Sequence, residues 1–108
     1  MKLVIAIVQN DDAKPLTRVL TKNKISVTRI SSTGGFLSDG NTILMIGVDQ
    51  DRLQEALDLI KEHSHRRTAA MPAVLLAAQN ADNPLLPINV TIGGATVFVL
   101  DVEQFEKF

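Results

Sequence analysis

The chain has 108 residues, with 11 Lys and Arg against 12 Asp and Glu, a formal net charge of -1 and no cysteine. That length fits one domain over residues 1–108, and the charge excludes a partner that is a nucleic-acid polymer, as well as a polybasic membrane anchor. Without cysteine there is neither a disulfide nor thiolate chemistry. No stretch approaches the ~20 apolar residues of a membrane span. The apolar run that opens the chain is short and meets Gln9, Asn10, Asp11 and Asp12 without a small-residue cleavage site, so the cytoplasm is the expected compartment.

In chain order, Leu3 to Val8 is a continuous, largely β-branched run, the mark of a strand covered on both faces or buried in an interface. Asp11 or Asp12 is expected to cap a first helix, with Pro15 in its first turn and an apolar stripe at Leu16, Val19 and Leu20. Asn23 and Lys24 end it. Residues 25–32 alternate, with Ile25 and Val27 on one side and Ser26 and Thr28 on the other, as a strand with one polar face does. Asp39-Gly40 is a tight-turn signal, and Thr42 to Val48 forms a third strand.

Asp49 then caps a second helix with its stripe at Leu53, Ala56, Leu57 and Ile60. His63, His65, Arg66 and Arg67 close it with groups that suit a helix C-terminus. Residues 66–87 carry three prolines and weak periodicity, and read as a mobile inserted loop, part of it extending one strand outward before turning back. Ile88, Val90 and Ile92 alternate as a strand, Gly93-Gly94 interrupts, and Ala95 to Leu100 resumes. Val102 to Phe108 is expected as a short C-terminal helix.

This order gives an α+β, ferredoxin-like βαββαβ sandwich with a loop inserted before the penultimate strand and a short C-terminal helix. Two helices cover one face of such a sheet. Because the strands are apolar on both sides, the second face is expected to bury itself by self-association.

Catalytic constellations do not emerge. His63 and His65 read as a solvated helix end, and no nucleophile elbow, His-Glu-x-x-His or lysine-bearing phosphate loop is present. The glycine pairs Gly34-Gly35 and Gly93-Gly94 follow β-like runs. On spacing alone they read first as backbone geometry and second as amides beside phosphate. Phe36 and Asn41 flank the tight turn and have the chemistry to stack on, and to pair with, an adenine.

Thr33-Gly-Gly-Phe-Leu37, Gly40-Asn-Thr42 and Gly93-Gly-Ala-Thr-Val-Phe-Val-Leu100 resemble the PII-like cyclic-di-AMP receptor family, as do the opening Met1 to Gln9 and the closing Phe105 to Phe108. The resemblance implies a non-enzymatic homotrimer that takes cyclic-di-AMP, and no other cofactor or metal, in clefts between subunits. It also implies a loop that responds to ligand and an unknown downstream protein. The matching ligand positions are Thr28, Gly35, Phe36, Leu37, Asn41, Gly47 and Phe98. By role, Asn41 and the Gly47 backbone would read one adenine with Thr28 nearby, Phe36 and Leu37 would pack on a base, and the Gly34-Gly35 amides would approach phosphate.

Where the family often has Asn-x-Arg-x-Thr, this chain has Lys24-x-Ser26-x-Thr28. Losing a bidentate guanidinium costs roughly ten- to hundredfold in affinity. Lys24 and Arg29 are the cations left to compensate, with Ser26, Gly93 and Gly94 as further auxiliary positions. Lys107 stands where the family tends to have Gln. Two other readings stay open: a PII-type sensor of ATP or ADP, and a ligand-independent interaction module docking through the apolar loop.

Overall fold

The computed structural model describes residues 1–30, 40–71 and 88–108. Strand β1 (Lys2–Gln9) leads into helix α1 (Asn10–Lys22). Strands β2 (Val27–Ile30) and β3 (Asn41–Val48) follow, then a 3-10 turn at Gln50–Arg52 and helix α2 (Leu53–Ser64). The chain continues through β4 (Arg67–Met71), β5 (Ile88–Ile92) and β6 (Ala95–Asp101). The main sheet has the order β2-β3-β1-β6, with every neighbouring pair antiparallel. It is the ferredoxin-like βαββαβ arrangement, with β6 as its last strand. Strands β4 and β5 pair only with each other, as a separate ribbon inserted between α2 and β6.

Period-two alternation decides which side chains meet the helices. Val4, Ala6 and Val8 of β1 and Leu44, Ile46 and Val48 of β3 point toward α1 and α2. There they meet Leu16, Leu20, Ala56 and Ile60 in the buried core. Each fully buried Val, Leu or Ile contributes about 1.5–3 kcal/mol. The intervening residues Leu3, Ile5, Ile7, Ile43 and Met45 face the other way and are only partly buried. That second face is apolar and no helix of the described chain covers it.

The start of α1 departs from expectation. The helix begins at Asn10, so Asp12 lies in its first turn rather than at the cap. Its carboxylate instead receives the Arg67 guanidinium at 2.7 Å and 3.3 Å. An earlier start also moves Pro15 to the sixth helical position, inside the helix, where its missing N–H leaves one intrahelical bond unmade.

The helix ends where Asn23 and Lys24 were expected to end it, by a full Schellman closure. The Lys24 N–H donates to the Thr21 carbonyl and the Ile25 N–H to the Leu20 carbonyl, each at 2.9 Å. Lys24 takes the left-handed φ of 60° this geometry requires. Ile25 is thereby drawn into the core, and β2 starts two residues later than the alternation suggested. Arg52 locks the corner, donating to the Asn23 carbonyl at 2.7 Å and to the Glu55 carboxylate at 3.0 Å.

Arg67–Met71, within the inserted segment, is the part that runs outward as a strand, paired with Ile88–Ile92, while residues 72–87 lie outside the described residues. One further expectation is corrected. Residues 102–108 contain no helical turn. The Val102 N–H donates to the Met1 carbonyl at 3.2 Å, prolonging the sheet's bonding pattern, and the Asp101 carboxylate that could cap a following helix is held by Lys2 instead. The Asp39 half of the tight turn falls outside the described residues, and Gly40 has a φ of 89°.

Candidate ligand-binding face

The open face of the sheet is a grid of cross-strand rows fixed by register. Thr28 pairs with Met45, Met45 with Ile5, and Ile5 with Phe98, so one row runs Thr28–Met45–Ile5–Phe98 across all four strands. The next row is Gly47–Leu3–Leu100. On the other side lies Ile30–Ile43–Ile7–Thr96, and beyond it Asn41 opposite Gln9. Four positions expected to touch ligand, Thr28, Asn41, Gly47 and Phe98, therefore share one face. Phe98 is 52% exposed and Leu100 46%, high for such side chains in the last strand of a sheet.

Around Thr28 and Gly47 the face dips into a depression of about 350 Å³, bounded also by Ser26, Met45, Val102 and Phe105. The β2–β3 ladder stops at the Val27–Ile46 pair, so the edge of Gly47 that faces Ser26 lies beyond strand pairing. Phe105 is a lining residue that sequence reading placed in a helix. It is 62% exposed, and its signal in the sequence was its place in the closing Phe105 to Phe108 segment that carries the family resemblance.

Asn41 stands apart from this depression. It is six residues from Gly47 along β3, about 20 Å at 3.3 Å per residue. Within one chain the two are too far apart to touch one adenine, so a shared base requires a second copy. They can meet one base only where the opposite ends of two copies come together. Asn41 borders a larger hollow of about 570 Å³, with Gln9, Lys61, Ser64, His65 and Gly93 among its lining. Gly34, Gly35, Phe36 and Leu37 lie outside the described residues.

The auxiliary positions separate. Ser26 lines the depression beside Thr28. Arg29 does not: it is aligned with Leu44, on the helix side of the sheet, and lines a groove with Lys14, Arg18 and Lys22 instead. Lys24 is exposed at the corner after α1, its carbonyl held by Arg52 at 3.4 Å. Neither cation lines the Thr28 depression, so what stands there in place of a guanidinium is the Ser26 hydroxyl.

Gly93 and Gly94 have φ of 78° and 100°, and their amides are already engaged. The Gly93 N–H donates to Gln9 Oε1 at 2.7 Å and the Gly94 N–H to the Ser64 carbonyl at 2.5 Å. A Cβ on Gly93 would fall 2.4 Å from Arg67 Nη1 and 2.5 Å from the His65 carbonyl oxygen. This pair is backbone geometry at the root of the β4–β5 ribbon, not a free phosphate cradle.

The ion pairs among the described residues are structural. Hydrogen bonding to Asp12 raises the Arg67 pKa, and the bond to Glu55 does the same for Arg52. The bond from Arg52 lowers Glu55, and the bond from Lys2 lowers Asp101. His63 and His65 each place Nδ1 against a carbonyl one turn back, at 3.0 Å from Leu59 and 3.1 Å from Lys61, which is helix-end bonding. Among the described residues no group of three or more His, Cys, Asp or Glu is placed to hold a metal ion. No described helix is long and apolar enough to cross a membrane.

A family model described as the cyclic-di-AMP receptor matches residues 1–108. The chain belongs to the cyclic-di-AMP receptor family. That family is PII-like, nucleotide-binding and non-catalytic, a signal-transduction class. The chain is also similar to the crystal structure of a functionally unknown protein from Pediococcus pentosaceus ATCC 25745. The two are 45% identical with a TM-score of 0.80, over 99% of this chain and 96% of that one. Membership of that family makes a nucleotide the class of ligand to expect.

Proposed function

We propose that this cyclic-di-AMP receptor is a homotrimer that binds one ligand in each cleft between subunits. It signals by reordering residues 66–87 toward a downstream protein. The observation that carries the reading is the arrangement of the open face. An uncovered apolar surface holds Thr28, Gly47 and Phe98 at one end and Asn41 about 20 Å away at the other. A second copy against that face removes its apolar area from water and brings the two ends together around one base. Asn41 then offers a carboxamide to adenine N6 and N7, Thr28 and the Gly47 backbone supply polar contacts, and Phe98 offers apolar packing. Phe36, Leu37 and the Gly34-Gly35 amides are proposed to complete the site.

Ligand binding shifts the 66–87 segment only in so far as it binds one arrangement more tightly than the other. Titration calorimetry with cyclic-di-AMP on the wild type and on Asn41→Ala, with sedimentation to fix the oligomer, tests the proposal. Saturable heat that falls at least tenfold in affinity in the variant, in a trimer, is the expected result. The absence of heat at high micromolar ligand rejects it, and full binding by a monomer rejects the cleft. A second reading, a sensor of another adenine nucleotide such as ATP or ADP, starts from the Ser26 hydroxyl lining the depression where the resemblance leads one to expect a guanidinium. A thermal-shift panel separates the two, since the best ligand gives the largest upward shift.

A further inference from the structure

Arg29 was one of two cations expected near the ligand, and the register turns it to the opposite side of the sheet. There it joins Lys14, Arg18 and Lys22, which repeat every four residues along one face of α1. The four cations, with Thr17 and Thr21 between them, line a groove of about 470 Å³ between α1 and β2. The stripe is about 12 Å long at 1.5 Å per residue. All four basic side chains belong to exposed residues, and no ion pair with a carboxylate of the described residues engages any of them. Like charges four residues apart weaken a helix, and here two such pairs stand without a compensating acid. The whole chain has a formal charge of -1, so the positive groove is a local feature rather than a reflection of composition.

We propose that this groove docks an acidic segment of a partner protein, its carboxylates spaced to meet Lys14, Arg18, Lys22 and Arg29. Charge complementarity selects the partner and speeds encounter. The aliphatic stems of the cations and the Thr methyl groups give apolar residues between those carboxylates a surface to cover. β2 is an edge strand of the main sheet, so its outer side is open to an extended segment. A nucleic-acid backbone fits less well, because no aromatic among the described residues lines the groove to stack a base and the rest of the chain is net acidic. The groove is on the helix side, away from Thr28, Gly47 and Phe98. Copies associating through their open faces leave it free, and the inference stands whether or not a nucleotide binds there.

Fluorescence anisotropy with the full chain tests it at low salt, using a labelled peptide of repeated Glu-Glu-Leu and its Lys-Lys-Leu counterpart. The acidic peptide is expected to bind saturably and the basic one not at all. Arg18→Glu and Lys22→Glu each weaken binding by about tenfold, while Lys107→Glu, the same charge change at an exposed position outside the groove, leaves it unchanged. Thermal unfolding of each variant confirms that the fold survives, with Arg18→Gln as substitute if Arg18→Glu does not fold. The inference is overturned if the acidic peptide fails to bind, or if Arg18→Glu binds as the wild type does. It is also overturned if Lys107→Glu weakens binding equally, or if single-stranded oligo-dT displaces the peptide at lower concentration than unlabelled peptide does.

Discussion

Arg67, the first residue of the inserted ribbon, donates two hydrogen bonds to the Asp12 carboxylate in the first turn of α1, at 2.7 Å and 3.3 Å. The Asp12 side chain is 7% exposed and that of Arg67 36%. The pair fastens the root of the ribbon to the body of the domain, and its two ends are unequal. Removing Arg67 strands a carboxylate away from water, whereas removing Asp12 leaves a guanidinium that water reaches. Arg67→Met is therefore expected to cost about 1–3 kcal/mol and Asp12→Asn less. Urea unfolding at one fixed protomer concentration measures both, and equal losses would contradict the asymmetry.

The ribbon's other root is steric. Gly93→Ala places a methyl group against the His65 carbonyl and the Arg67 guanidinium at a φ of 78°. Gly94→Ala, with a φ of 100°, meets nothing within 4 Å and bears only the conformational term. Gly94→Ala is expected to cost about 1–2 kcal/mol, and Gly93→Ala more, because the neighbouring chain must move. Melting temperatures of the two variants side by side rank them. The reverse order would show that the ribbon root yields easily.

At the C-terminus of α1, Lys24 occupies the left-handed position of a Schellman closure with a φ of 60°. Lys24→Gly is expected to raise stability by about 0.5–1 kcal/mol and Lys24→Val to lower it, since a β-branched side chain tolerates that φ least. Because the Lys24 side chain lines no ligand depression, cyclic-di-AMP affinity should be the same in Lys24→Gly and wild type. A tenfold loss in calorimetry would place that cation in the site after all.

Acid sensitivity follows from two carboxylates held below their ordinary range, Asp101 by its hydrogen bond from Lys2 and Glu55 by its hydrogen bond from Arg52. A depressed folded pKa means the folded chain binds fewer protons than the unfolded chain. Their contribution is complete above the ordinary carboxylate pKa and is lost as the pH falls through the folded one. Both groups are solvent-exposed, so salt screens the effect. Asp101→Asn should flatten part of the acid limb of a stability–pH profile and leave the neutral plateau shape intact. An unchanged limb at low ionic strength would refute the assignment.

Much of the architecture was legible because apolar periodicity is a local property. The continuous β-branched run from Leu3 to Val8, the stripe at Leu53, Ala56, Leu57 and Ile60, and the Asn23-Lys24 stop each announce one element within a few residues. The family resemblance likewise rests on short contiguous motifs, and the match of the family model to residues 1–108 agrees with it. Less legible were groups whose partner is remote in sequence. Asp12 looked like a cap because nothing near it revealed Arg67, 55 residues on. Gly93 and Gly94 read first as backbone geometry, as they are, but their acceptors on Gln9 and Ser64 come from other elements and could not be named in advance.

The sequence by itself determined the elements, the apolar character of both sheet faces and the family, since each is written in neighbouring residues. Only the tertiary structure decided which of those residues share a surface. Register and pleat set Thr28 in a row with Phe98 and turned Arg29, one residue on, to the opposite side. Strand order and register are fixed by burying Val4, Ala6 and Val8 under two helices at once. That choice is made by the whole core, and no single segment contains it.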